Sequence, residues 1–527
     1  MSLKHLWFIL FIFYSCNSGK SDKVERDTSI TISTSFNNLF LDTGDLHNFL
    51  QANTSYALFE KQMKDFYKQR NFEYAWFDSN GLGEQADNFV NLLGNTISEL
   101  EDSSLYSAKL DTLYSKLKNG NGKPHLGDVL QTELFLTGQF FSYAAKIYKG
   151  SDVDAAALGW LIPRKKIDLT ALLDSVISTK GKEADHFAAL NSQYNKLKEF
   201  IAKYSDIQKN NHWDTIAKPA KPVHLGESSP VVPLVRQRLL VFGDLTANDS
   251  SSMVDSTLFY AIKSFQKRMG LATDGAIGNN MINELNVPVS KRIQQIFINL
   301  ERMRWMPADG NDDQIYVNIP EFKMYVYENG KLNFTMNVIV GKTATSTVIF
   351  TGDLKFIVFS PYWNVPPSIV QKEIIPGMQR DSNYIAKHNM EITSTANGIP
   401  SVRQKPGGDN SLGHVKFLFP NSFDIYLHDT PNHDLFSAAS RSFSHGCIRL
   451  SEPKKLAQFL LRNDTSWTDY RIDTSMNSQK EIWVTLNKTV PVFITYFTAW
   501  VDTDGKLNFR KDIYSHDAKL ANKLFVK

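Results

Sequence analysis

The sequence predicts a multidomain α+β chain: a helical N-terminal scaffold, a small three-helix module, and a β-rich C-terminal domain interrupted by an inserted lid. Three observations predict it. At 527 residues the chain is too long for one compact core. Apolar positions recur at helical spacing up to about residue 220, and again across 228–287. From Gln314 the period switches to two. Composition is 42% apolar, 21% charged and 12% aromatic, which argues against a largely disordered chain. Basic residues number 58 against 55 acidic, a net charge of +3, so no global basic surface points to nucleic acid.

The first residues read as an export signal. In "MSLKHLWFILFIFYSCNSGKSDK", Lys4 and His5 precede the apolar run from Leu6 to Tyr14, then Ser15 and Cys16. That run cannot span a bilayer as a helix, which takes about 20 residues. Residues 1–16 are read as the signal and the polar 17–28 as a tether. "FYSC" resembles a bacterial lipobox, which implies lipid on Cys16, anchorage to a membrane and a periplasmic location. With Cys16 lipidated, Cys447 has no partner for an internal disulfide. A lone thiol in an exported protein is an oxidation liability, so a chemical use is the better reading.

Residues 29–220 read as the helical scaffold. "YALFEKQMKDFYKQRNF" sets Tyr56, Phe59, Met63 and Phe66 at helical spacing, and no cluster of ligands or acid–base groups accompanies them. After the Pro/Gly/Ser-bearing "AKPAKPVHLGESSP" come three short helices. Val232, Val235, Leu239 and Phe242 form one stripe. Leu258, Ala261, Ile262, Phe265 and Met269 form the second, with Asp255 or Ser256 as N-cap, and Met281, Ile282 and Leu285 the third. The order of "VRQRLLVFGDL", "AIKSFQKRMGLATDGAIG" and "NNMINELNVP" resembles the peptidoglycan-binding module of exported cell-wall enzymes over residues 228–287.

The β-rich domain is read over 313–496, with 497–527 as a C-terminal extension. "IYVNI" places Ile315, Val317 and Ile319 on one face, Asn329–Gly330 supplies a hairpin turn, and "LNFTMNVIV" alternates from Leu332 to Val340. "LKFIVFS", "FDIYLHD", "EIWVTL" and "VPVFITYF" read as further strands. The stretch 366–414, with helical "SIVQKEIIPGMQ" and glycine-bearing "KPGGDNSLG", reads as a strand-poor functional lid.

The chemistry gathers around "SFSHGCIRLSEP". A sulfur nucleophile needs a base, donors for an oxyanion, and a pocket for the acyl group. "DIYLHDTP" offers His428 at a strand end, far enough before Ser444 for the chain to turn and return beside it. A thiolate–imidazolium pair with Cys447 is expected to lower the thiol pKa, and the amides of Gly446 and Cys447 to line an oxyanion hole. Ser451 is expected to cap the helix that follows. A zinc site of His428, His433, His445 and Cys447 competes, but its spacing follows neither CxxC nor HExxH logic.

"IYLHDTP…FSHGCIRL" closely resembles the L,D-transpeptidase signature, a histidine followed by Ser/Thr-His-Gly-Cys. "RIQQIFINLERMRWMP", the lid and the closing "VPVFITYFTAWVDTDGKLNFRKDIY" look like the large Gram-negative-type members, as does the domain order. The resemblance implies Cys447 as nucleophile and His428 as general base, with Tyr426 supporting the oxyanion. The amides of Gly446 and Cys447 would provide the main oxyanion hole, Ser444 and His445 would shape the Cys loop, and Arg449 would engage a substrate carboxylate or hold that loop. The second imidazole nitrogen would bond a backbone carbonyl rather than the Asp429 side chain. The implied reaction expels the terminal D-alanine of a tetrapeptide stem, then passes the acyl group to a diamino-acid amine, linking the third residues of two stems. It needs no metal or organic cofactor, its partners are stem peptides rather than nucleic acid, carbapenems would acylate Cys447, and a monomer suffices. Hydrolysis of the acyl-enzyme (an L,D-carboxypeptidase or cross-link hydrolase) and a non-catalytic peptidoglycan-anchoring lipoprotein are the alternatives; retention of His428, Gly446, Cys447 and Arg449 argues against the last.

Overall fold

The computed structural model describes residues 39–525 apart from 79, 101, 121–123, 165, 183–191, 248–249, 308–309 and 397. The export signal, Cys16 and the tether lie outside the described residues. Among those described, one compact unit holds the residues up to Leu93, those of Leu105–Tyr143 and those of Asp168–Phe187; a second holds Gly94–Ser104, Ala144–Ile167 and Ala188–Lys527. The helical region read as 29–220 is thus divided between both units.

The first unit is built from α1 (Thr43–Ala52), α2 (Glu60–Gln69), the short hairpin β1 (Phe77–Asp78) and β2 (Gly81–Leu82), the first part of α3 (Glu84–Leu100, up to Leu93), α4 (Ala108–Asn119), most of α5 (Leu126–Ala144) and α6 (Leu169–Ser178). The stripe Tyr56, Phe59, Met63 and Phe66 is buried as its spacing predicts. Glu133 on α5 is fully buried and accepts from Ala75 N–H at 2.7 Å, Trp76 N–H at 3.0 Å and the Tyr67 hydroxyl at 2.8 Å. Burial outweighs these donors and pushes its carboxyl up to about 7. A folded-state pKa above the unfolded one stabilises the protonated side, so this unit is expected to lose stability as pH rises through 7. Glu133→Ala strands two amide donors, since the Tyr67 hydroxyl keeps Thr137 Oγ1 at 2.7 Å; at ~1–3 kcal/mol each for an unmet buried group, a loss of roughly 2–6 kcal/mol in urea unfolding of this unit is expected.

The second unit begins with α7 (Ser192–Asn210), then α8 (Val232–Phe242), α9 (Ser256–Arg268), α10 (Asn279–Leu285) and α11 (Val289–Trp305). Asp255 is the N-cap of α9, accepting from Leu258 N–H at 2.8 Å. Gln266 explains the Phe-Gln pattern: its amide grips the Asp274–Gly275 turn, accepting from Gly275 N–H and donating to Asp274 and Ala276. Arg268 pairs with Asp244 and donates to the Leu507 carbonyl, so this small module is seamed to the C-terminal segment.

The β-rich part follows with β3 (Gln314–Asn318), β4 (Lys323–Glu328), β5 (Lys331–Gly341), β6 (Thr351–Phe359) and β7 (Trp363–Asn364). Next come α12 (Pro367–Ile369), a π-turn, α13 (Ile375–Arg380), α14 (Tyr384–Lys387), β8 (Met390–Ala396) and β9 (Ile399–Gln404). The chain closes with β10 (Val415–Leu418), β11 (Leu427–His428), β12 (Ser442–Ser444), β13 (Ile448–Leu450), α15 (Pro453–Leu461), α16 (Asp469–Met476), β14 (Ile482–Thr495), β15 (Ala499–Val501), β16 (Leu507–Phe509) and α17 (His516–Leu524). The main sheet runs β12-β5-β13-β11-β10-β6-β14-β3-β4, and β4 also pairs with β5, so the hydrogen-bonding circuit closes on itself. Asn329 and Gly330, both at positive φ, make the β4–β5 turn.

Four details depart from the sequence reading. "EIWVTL" and "VPVFITYF" form one strand, β14, with a register shift between Thr485 and Val490. The lid carries its own sheet, β7-β9-β8, around Val365, Val370, Ile374, Met390 and Val402. Glu452, not Ser451, precedes α15; Ser451 N–H instead bonds the Asn337 carbonyl. The core under the sheet recruits Trp160, Ile298, Trp305, Tyr514 and Leu520, from both sides of the 313–496 span.

Candidate active site

Two short parallel strands build the site. In β11 and β13, Leu427 pairs with Ile448 and His428 with Arg449, while Ile448 N–H bonds the Tyr426 carbonyl at 3.1 Å. Leu427 and Ile448 are core residues. Strand alternation therefore turns Tyr426, His428, Cys447 and Arg449 to the opposite face together. His428 and Cys447 are diagonal neighbours across the pair, a placement within reach of long side chains.

The local chain holds each group. His428 is buried, and its Nδ1 bonds the Asp429 backbone carbonyl at 2.5 Å, which leaves Nε2 as the basic nitrogen. The Asp429 carboxylate turns elsewhere, accepting from His414 N–H at 2.8 Å and Thr430 N–H at 2.7 Å. Tyr426 lies beside the Cys447 sulfur, and its backbone N–H and phenol favour the thiolate form, against the larger effect of burial. The sulfur also lies 3.5 Å from the Asp424 carbonyl. Gly446 sits at φ +124°, where a side chain is strained. Ser444 Oγ donates to the Cys447 carbonyl at 2.6 Å, and Thr347 Oγ1 to the Gly446 carbonyl at 2.8 Å, fixing the loop without the thiol.

Two expectations need revision. Gly446 N–H is taken by Ser444 Oγ at 3.1 Å, so in this conformation Cys447 N–H, which has no partner among the described residues, is the loop amide open to an oxyanion. The resting pair is neutral rather than ionic: burial pushes the Cys447 thiol up, and burial, with Arg449 and Lys416 nearby, pushes the His428 imidazole down to about 3. Tyr426, buried beside the sulfur, is held protonated, its phenol raised above the ordinary value.

His445 points away from the sulfur, half exposed, with Nε2 4.0 Å from Glu373 of the lid's π-turn. His433 faces Asp429 at 3.7 Å instead of Cys447. Among the described residues, no group of three or more His, Cys, Asp or Glu is placed to hold a metal ion, and no helix is long and apolar enough to cross a membrane.

Sequence reasoning missed a cross-strand row. His428 pairs with Lys416 on β10, Lys416 with Val358 on β6, and Val358 with Trp483 on β14. Because Val415, Phe417, Ile357 and Val484 are in the core, the row Arg449–His428–Lys416–Val358–Trp483 lies on the site's face. In "GHVKFLF" a lysine between apolar neighbours reads as an ordinary solvated strand position. Only the register shows that it abuts the histidine.

Residues 312–492 match the family model of the L,D-transpeptidase catalytic domain, and residues 61–200 match that of a scaffold domain. Fold and comparison together define a chain with an L,D-transpeptidase catalytic domain beside a helical scaffold. A curated protein of Haemophilus influenzae, provisionally named an L,D-transpeptidase, is 34% identical over 252 residues, covering 44% of this chain and 51% of that protein. Residues 312–492 are thus similar to an L,D-transpeptidase catalytic domain; the chain spans about half the length of that curated relative. Solved L,D-transpeptidases from Xylanimonas cellulosilytica and Stackebrandtia nassauensis are 13% and 14% identical, covering 53% and 52% of this chain and 100% and 97% of their own. Their TM-scores of 0.18 and 0.23 are too low to bear on the chain's function.

Proposed function

We propose that this chain is a peptidoglycan L,D-transpeptidase that joins the third residues of two stem peptides, exported to the periplasm and held at a membrane by lipid on Cys16. The observation that carries the reading is the seating of Cys447, Tyr426 and His428 on one face of two adjacent parallel strands, with Nδ1 of the histidine tied to a backbone carbonyl. Nothing but a base at Nε2 and a nearby sulfur is needed to start acyl transfer.

From the neutral pair, Nε2 of His428 takes the thiol proton as Cys447 Sγ bonds to the third residue's carbonyl carbon. Tyr426 O–H and Cys447 N–H are the donors nearest the charge that develops there. The C–N bond to the terminal D-alanine breaks, and the imidazolium returns its proton to the departing amine. A side-chain amine of a second stem then attacks the thioester, giving up its proton to His428. The new amide forms, the thiolate leaves, and the imidazolium reprotonates it. Because the lid packs around its own core, it is suited to shelter the thioester from water while an amine enters.

The test is product analysis on purified stem-bearing muropeptides. Dimers linked between third residues are expected with the wild-type chain. Trimmed monomers alone would mean hydrolysis instead, and an unchanged substrate would leave only an anchoring role.

A further inference from the structure

One buried hydroxyl governs the peptide plane in front of the nucleophile. The Gly446 carbonyl and the Cys447 N–H belong to one trans peptide, so they point in opposite directions. Thr347 Oγ1, on the turn between β5 and β6, donates to that carbonyl at 2.8 Å and accepts from Gly341 N–H at 2.9 Å. A carbonyl only accepts, so the direction of both bonds is fixed. Thr347 itself is buried. Its hydrogen bond holds the plane and also polarises the peptide, which strengthens Cys447 N–H as a donor. Gly446, at φ +124°, would otherwise leave that plane free to turn.

Thr347 is held in turn by a residue far along the chain. The phenol of Tyr514 donates to the Gly341 carbonyl, and its oxygen accepts from Thr347 N–H at 3.4 Å. Ser442 Oγ donates to the same Gly341 carbonyl at 2.7 Å. A side chain at position 341 would collide with the Thr345 carbonyl, so the turn folds directly onto the end of β5. Tyr514 is anchored through its backbone. Its N–H donates to Tyr496 Oη at 2.8 Å, and Tyr496 O–H donates to Asp512 at 2.8 Å. Asp512 accepts from Asp517 N–H in the first turn of α17 at 2.9 Å, and Asp517 pairs with Arg302 of α11. A phenol fixed in this way holds the turn instead of following it. Tyr514 lies beyond 312–492, the span similar to the catalytic domain.

Resting on the transpeptidase reading above, we propose that Thr347 is a positioning residue that aims the Cys447 amide at the developing oxyanion, and that Tyr514 of the C-terminal segment acts through it. The nucleophile loop is thus completed by chain outside the matched span. In acylation, negative charge gathers on the carbonyl oxygen as the sulfur bonds to its carbon, and an amide already aimed there meets that charge without reorganising. Alkylation of the same sulfur by iodoacetamide displaces iodide from a saturated carbon. No oxyanion forms in that reaction, so it does not use the amide.

The test measures two reactions of Cys447 in the full chain at one pH: thioester formation with a tetrapeptide stem, followed by intact mass, and alkylation by iodoacetamide. Thr347→Val keeps the shape and removes the hydroxyl. It is expected to slow thioester formation by about 10- to 100-fold, short of the ~10²–10³-fold for deleting an oxyanion donor outright, and to leave alkylation within a few-fold. Thr347→Ser, which keeps the oxygen, is expected to bring thioester formation back to within a few-fold of the wild type. Tyr514→Phe is expected to slow it by about 2- to 10-fold, the worth of one hydrogen bond. Added to Thr347→Val it is expected to cost nothing further, because both act through one hydroxyl. A Val variant that forms thioester at the wild-type rate, or that loses both reactions alike, overturns the assignment of Thr347. A double variant in which the two losses multiply overturns the route through Tyr514. A wild type that is alkylated but forms no thioester removes the transpeptidase reading as well.

Discussion

Replacing Cys447 with alanine is expected to remove cross-link formation, lowering turnover by at least about ten-thousandfold, the scale seen when a covalent nucleophile is deleted. The loss should be chemical, not structural. Ser444 Oγ reaches the Cys447 carbonyl and Thr347 Oγ1 the Gly446 carbonyl, so the loop is fixed through backbone atoms that alanine keeps. Thermal unfolding should therefore move little. Cys447→Ser is expected to be nearly as inactive, since a hydroxyl beside a neutral imidazole is a far poorer nucleophile than a thiol. Muropeptide dimers counted by chromatography and mass give the answer. An alanine variant that still makes them would require another nucleophile.

His428→Ala is expected to cost about 10²–10⁴-fold in thioester formation, the range for loss of a positioned base. Here the pH behaviour discriminates more sharply than the rate. The thiol is raised by burial and the imidazole lowered to about 3, so near neutrality the resting pair is thiol and neutral imidazole. Alkylation of Cys447 by iodoacetamide should then climb steadily with pH through neutrality, without the flat acidic plateau of a preformed ion pair. The stability sign follows from the same shift. A histidine with a depressed folded pKa stabilises the fold above its unfolded pKa of about 6.5 and loses that contribution as acid is added towards 3. His428→Ala should lack that increment of acid sensitivity. A reactivity plateau extending from pH 4 to 8 in the wild type would contradict the neutral pair.

The site was legible where a motif ties chemistry to short spacing. The closeness of His428, Ser444, Gly446 and Cys447 was legible from the motif, and the helix stripes such as Leu258 to Met269 were legible because burial follows helical period. What failed was set by tertiary context. Ser451 has the side chain of a good cap, yet its N–H is drawn into pairing with Asn337, and Pro453 opens the helix instead. The polar "NKT" separates "EIWVTL" from "VPVFITYF", but β6 pairs on both sides of it and carries one bulged strand through. The closeness of Lys416 to His428 was invisible because it depends on which strand lies next to which, and register is a property of the sheet and not of the segment. The neutral state of the pair likewise depends on burial and on two cations brought in from β10 and β13.

The most direct test is acid-quenched intact-protein mass spectrometry of the wild-type chain mixed with a tetrapeptide stem donor. A single adduct equal to the stem less its terminal D-alanine, mapped by peptide digestion to Cys447, slowed in His428→Ala and absent in Cys447→Ala, is the expected result. Turnover of the stem into cross-linked dimers with no adduct at Cys447, or with the adduct on another residue, would contradict it.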